Sequence, residues 1–274
     1  MKSFLAFTFA LTVLYAVPAL ADQPATTVDL SASSVGFSPG SIYGPWQYVT
    51  LVARGVAGAN DKPGITLVTR TDRDLDYGSG STVVVDDYHQ FSPRLSAYAS
   101  VQLSSGNLFP TRGAFLELDP VVATGLVAGF GYGVLATPDG LSQRYASIGP
   151  TLYFPHGNAT LRYLPTWTLG QVFVSALYGN LSLGDEGRAV TSLTLQDGVE
   201  PAFDVNDPTS ARRFQERTFV ANLDYKRWLT PRLGYDLGVE YGHQVDRITG
   251  ADVYTRRGFT LGFFFGIGHS PTAL

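Results

Sequence analysis

From Leu233 onward the odd positions read Leu233, Tyr235, Leu237, Val239, Tyr241, His243 and Val245. The even positions from Arg232 to Asp246 hold only glycine and polar or charged residues. Successive side chains of a strand point to opposite faces, so this alternation predicts one long strand with an apolar and a hydrophilic side. The pattern resumes at Phe259, Leu261, Phe263, Phe265 and Ile267 against Arg256, Gly258, Thr260, Gly262, Gly266 and Gly268, broken only at Phe264. Strands this long exceed the ~5–6 residues usual in soluble sheets and suit a tilted crossing of a bilayer. The expected fold is all-β, a transmembrane antiparallel up-and-down β-barrel.

Read in order, the alternation predicts strands at 28–37, 46–56, 64–75, 82–91, 95–104, 114–118, 122–136, 144–154, 158–164, 171–183, 188–199, 218–228, 233–246 and 256–268. That is 14 strands, with 12 possible if the weak first pair is lost. Tight turns at Ser92-Pro93, Asp119-Pro120, Pro155-His156-Gly157 and Thr230-Pro231 all follow even-numbered strands. The irregular stretches 200–214 and 247–253 follow odd-numbered ones. Bacterial outer-membrane barrels keep short turns on the periplasmic side and longer loops outside, so both termini are expected to be periplasmic. Within 122–136, Gly125, Gly129, Gly131 and Gly133 share one face. Glycines inside a strand mark close approach, here room for a bulky side chain from another wall. Pro150 inside a strand predicts a bulge or a shortened strand.

The N-terminus changes the setting. Lys2, the apolar run 4–17 and Ala19-Leu20-Ala21 have the form of a signal peptide cleaved after Ala21. The expected organisation is therefore a signal peptide over 1–21 and a short leader over 22–27. An outer-membrane barrel over 28–268 and a tail over 269–274 complete it. The expected location is the outer membrane of a Gram-negative bacterium, reached by the Sec route. No later stretch approaches the ~18–20 consecutive apolar residues of a transmembrane helix. Cysteine is absent, which excludes a disulfide framework and thiolate metal sites. The net charge of −4 comes with no basic run, so nucleic acid is not an expected partner.

Candidate chemistry lies on the hydrophilic faces. Arg162, Asp224, Lys226, Asp236, Glu240 and Arg256 fall on the lumen side by phase. Such charges either brace the walls by pairing or line a water path for solutes. Trp46, Trp167 and Trp228 stand at strand ends, where an interfacial aromatic girdle is expected. No metal or cofactor site is expected: Asp72-Arg73-Asp74-Leu75-Asp76 and the group Asp204, Asn206, Asp207 read as surface loops, with weak Ca²⁺ binding the sharper alternative. The histidines are His89, His156, His243 and His269. An outer-membrane lipid or lipopolysaccharide hydrolase using His243 or His269 is the enzymatic alternative, and a secreted soluble β-sandwich the third class. The expected function is non-enzymatic: a passive pore, or the outer-membrane part of an envelope or polysaccharide export assembly.

From Trp46 to Leu183 the order of features resembles the YaiO-type outer-membrane β-barrel family. The resemblance rests on Gly44-Pro45-Trp46 opening a strand and on Leu108-Phe109-Pro110 after a glycine-containing loop. It also rests on Gly129-Phe130-Gly131-Tyr132-Gly133, followed by Tyr153 and Arg162-Tyr163 in a hairpin. It implies an exported barrel in contact with outer-membrane lipids, lipopolysaccharide and the barrel assembly machinery, and it supplies no catalytic residues. Some relatives carry a periplasmic repeat domain ahead of the barrel, absent here. Many such barrels end on an aromatic residue read by the assembly machinery, whereas this chain continues past Phe265 to Leu274.

Overall fold

The computed structural model describes residues 25–38, 44–58, 60–72, 78–106, 108–136, 140, 142–168, 172–200 and 216–268. They form β1 (Thr26–Phe37), β2 (Trp46–Gly55), β3 (Asp61–Asp72), β4 (Ser79–Ser92), β5 (Leu95–Ser105), β6 (Arg112–Ala123) and β7 (Leu126–Ala136). The second half comprises β8 (Ser142–Phe154), β9 (Gly157–Thr168), β10 (Val172–Asp185), β11 (Ala189–Glu200), β12 (Glu216–Thr230), β13 (Leu233–Asp246) and β14 (Asp252–Ile267). Each strand pairs antiparallel with the next, and β14 returns to β1, giving a closed barrel of fourteen strands. Closure runs from Thr26↔Ile267 to Phe37↔Arg256. No strand is left with an unpaired edge, the condition for spanning lipid with sheet.

The two faces separate as the alternation requires. Leu237 is 37% exposed and Phe263 48% exposed on the outer surface, while Asp236 and Arg256 are buried on the inner one. Connections of two or three residues join β4–β5, β6–β7, β8–β9, β10–β11 and β12–β13 at one end, together with the β2–β3 turn, and the longest ones, 38–45 and 201–215, lie at the opposite end. Those ends are called below the turn end and the loop end.

Four expectations are corrected in detail. β1 begins at Thr26, two residues inside the expected leader. Asp119-Pro120 is not a turn: β6 continues through it to Ala123, with an irregular register at Val121/Ala123, and the chain reverses at Thr124-Gly125. Gly125 adopts φ 73°, a conformation that favours glycine. Around Pro150 there is neither bulge nor shortening; β8 runs 13 residues and keeps one register with β9. The ladder merely skips the pairs next to the proline, which has no N–H to donate. Finally, the glycines of β7 admit side chains from strands one or two places away rather than from across the barrel. A Cβ at Gly129 would overlap the Arg162 guanidinium, at Gly131 the Phe115 ring and at Gly133 the Tyr145 ring. The expected signal peptide with its cleavage after Ala21, the connection 200–214 and the tail 269–274 fall outside the described residues.

Candidate functional site in the barrel interior

Along β6–β9 the interior wall is closed by a buried charge network. Arg162 and Glu117 are each 1% exposed. Arg162 Nη2 donates to Glu117 Oε1 at 3.0 Å and lies 3.7 Å from Asp119 Oδ1. Its Nη1 donates to the carbonyls of Gly149 and Pro150, both at 3.0 Å, and to Thr151 Oγ1 at 3.2 Å. Ser147 donates to the second Glu117 oxygen at 2.8 Å. The planar fork of arginine matches this divergent set of acceptors. The carbonyls freed where the ladder skips Pro150 are thus satisfied by a side chain, and Gly129 leaves the space for it to reach them. This wall is braced, not open.

Toward the loop end, Trp46 is 1% exposed inside the barrel. The Arg70 guanidinium stacks 3.7 Å from its ring centroid, that of Arg256 sits 5.4 Å away, and Phe37 meets it edge-on at 4.6 Å. Arg256 is paired with Glu240 at 2.7 Å. The girdle expectation therefore fails for Trp46. It fails for Trp228 as well, whose ring meets the inward Phe264 edge-on at 4.5 Å and whose indole N–H donates to the Glu186 carbonyl at 3.0 Å. Both tryptophans share the phase of the hydrophilic positions on their strands, which outweighs their position at a strand end. Trp167 lies on the outer face, 43% exposed and 5.7 Å from Phe173.

The third wall, β10–β13 with β1, is different. Its inward side chains include Asn180, Ser182, Ser192 and Thr194, small groups bonded to one another across β10 and β11. Beside them Lys226 Nζ lies 2.6 Å from Asp29 Oδ2 and 3.5 Å from Asp236 Oδ2, yet the lysine side chain remains 49% exposed. Asp224 faces the same way, lying against Gly238. Small neighbours leave water room here that the opposite walls fill with aromatic and arginine side chains.

Of the six charges expected on the lumen side, Arg162 belongs to the first wall, Arg256 and Glu240 to the second, and Asp224, Lys226 and Asp236 to the third. Sequence reasoning missed Asp29, on a weakly alternating first strand. It also misses Glu117 and Arg70, which share the hydrophilic phase of their strands, and Asp119 and Asp72, which composition places in a turn and a loop.

None of the described histidines faces the interior. His156 is in the β8–β9 turn. His89 lies 2.5 Å from Asp61 on the outer face, where the ligand atoms of Asp61, Asp87 and His89 all fall within 4.8 Å of one another. Within that trio His89 and Asp61 already satisfy each other through a hydrogen bond at the rim. His243, also on the outer face, contacts Asp252 and Thr255, each at 3.3 Å. Those contacts are longer than the ~2.6–3.2 Å reach of an activated nucleophile and its base. His269 lies outside the described residues, as do positions 73–76 and 204–207.

At the turn end Glu186, in the β10–β11 turn, has its carboxyl pushed above the ordinary range by burial; Lys62 counteracts this and Asp185 adds to it. A carboxyl raised in the folded state stabilises the fold below its ordinary pKa and loses that contribution as pH rises through the raised value. Because Glu186 is exposed in the turn, solvent screens this contribution, and Glu186→Gln is expected to raise the unfolding midpoint only slightly at neutral pH and to leave it unchanged in acid, as read by urea titration at the two pH values.

A closed antiparallel barrel, lipophilic outside and charge-braced inside, defines a membrane β-barrel of the outer-membrane kind. The sequence profile of the YaiO membrane beta barrel domain matches residues 25–203, and the chain belongs to that family. No curated protein matches it in sequence. Among solved structures, the CymD monoaromatic hydrocarbon channel superposes with a TM-score of 0.61 at 10% identity, covering 90% of this chain and 90% of that one. The outer membrane protein Omp33 of Acinetobacter baumannii gives 0.48 at 9% identity, covering 90% of this chain and 100% of that one. The KdgM porin gives 0.43 at 12% identity, covering 88% of this chain and 99% of that one. At 10% identity the likeness to the CymD channel concerns the fold alone.

Proposed function

We propose that the protein is a non-enzymatic passive channel of the outer membrane for small hydrophilic solutes, exported with a signal peptide and inserted with its longer connections outward. The observation that carries this reading is the half-exposed Lys226 side chain within a wall enclosed on all sides by sheet. Charges inside a barrel are held by pairing or by water, and Lys226 has both: it pairs with Asp29 and Asp236 while half its side chain stays exposed to the interior. Fourteen strands at ~4.8 Å spacing and ~40° tilt give a backbone radius of roughly 14 Å, so the side chains, not the backbone, set the free bore.

The third wall gathers Asp29, Asp224 and Asp236 around Lys226, the half-exposed member of the group. Carboxylates in excess favour cations in a pore. Planar-bilayer recordings of the refolded barrel are expected to show discrete steps with a reversal potential on the cation side, displaced further toward cations in Lys226→Gln. A folded barrel that gives no steps would end the channel reading.

A further inference from the structure

At the loop end of β6–β9 the lipid-facing surface stops at two exposed guanidiniums. Arg112 opens β6 and Arg144 lies near the start of β8, both exposed on the outer face. Their cross-strand neighbours are apolar: Leu103 and Ala136 flank Arg112, and Val134 and Trp167 flank Arg144. Among the described residues no carboxylate lies on the outer face of β5–β9. Asp139, in the adjoining connection, falls outside them.

The contrast with the other side of the barrel is specific. There Arg217 is bound to Asp197, so that outward cation is already matched. Arg257 stands singly beside Tyr241. Arg227 also points outward beside Ala189 and Tyr235, but at the turn end, whereas Arg112 and Arg144 share one patch at the loop end. Their Cα atoms are separated by two strand spacings and two residues of rise, about 12 Å, a span two arginine side chains can close from either side. Trp167 and Phe173 lie in the lateral row of Arg144, and aromatic pairs of this kind mark the headgroup level.

We infer that Arg112 and Arg144 form a phosphate site for a phosphorylated glycolipid of the outer leaflet, its acyl chains lying on Leu116, Tyr132 and Ile148 below. The inference rests on the outer-membrane reading and orientation given above. Guanidinium and phosphate pair through two parallel charge-assisted hydrogen bonds. At the membrane boundary those bonds are less weakened by water than on an ordinary surface.

The test uses the full mature chain refolded in detergent and examined by native mass spectrometry with purified lipid A. Wild type is expected to retain lipid A, and the double variant Arg112→Ala/Arg144→Ala to bind it at least about tenfold more weakly, while both keep heat-modifiable gel mobility. Arg112→Gln/Arg144→Gln serves as a second variant and is expected to behave alike, and Arg217→Ala to bind as wild type does. Equal retention by wild type and either double variant overturns the site. So does equal retention of phosphatase-treated lipid A, and equal retention of phosphatidylglycerol overturns the glycolipid assignment. Loss of heat-modifiable mobility in wild type itself would instead overturn the membrane-barrel reading.

Discussion

Arg162→Ala is expected to destabilise the barrel by about 3–5 kcal/mol, the usual cost of removing one partner from a buried ion pair. The reason is local and complete. Glu117, 1% exposed, would lose its guanidinium partner, and Asp119 would lose its nearest cation. The carbonyls of Gly149 and Pro150 would be left without the donor that replaces the missing ladder bonds. Arg162→Lys is expected to recover only part of the loss, because one ammonium cannot reach this divergent set of acceptors. The paired substitution Arg162→Met/Glu117→Met removes both charges and is expected to fold better than Arg162→Ala. Urea titration followed by gel mobility reads all three, and an unchanged midpoint in Arg162→Ala would show that the network braces nothing.

The second large effect belongs to the outer face. Leu261 is 43% exposed at the middle of β14, opposite Leu237 on β13 and Ala32 on β1. In a bilayer Leu261→Arg is expected to cost about 2–4 kcal/mol, the range for a basic residue at the midplane of a barrel's lipid face. The inward Thr194→Arg is expected to leave stability nearly intact and to alter conductance instead. Equal tolerance of both substitutions in lipid vesicles would mean that the outer surface does not face hydrocarbon.

The period of two in the sequence was sufficient for strand number, strand order and the lipid face, because each of these depends only on where the alternation starts and stops. It was not sufficient where a second consideration was allowed to override phase. Trp46 and Trp228 stand at strand ends and so suggest the interface, although Thr50 and Arg54 in phase with the first, and Lys226 with the second, already mark them as inward. Asp119-Pro120 looks like a turn from composition, but a proline is tolerated near the end of a strand where its missing donor is not required. The partners of the interior charges were legible only in part. Alternation gives the face of Arg162 and of Glu117, but their meeting depends on β6 and β9 being brought together over Gly129, a matter of lateral geometry that no single strand encodes.

The seam between β1 and β14 has a consequence for how the molecule is made. Ser33 and Thr260 meet at 2.8 Å although they are 227 positions apart in the chain. The first strand therefore waits for the last one to be synthesised before it has its second neighbour. Until then the sheet presents two raw borders with greasy surfaces, the condition in which chains of this topology zip slowly and stick to one another. Trimming the chain within β14 would leave that wait without an end, so the closing strand acts as a latch on the whole polypeptide.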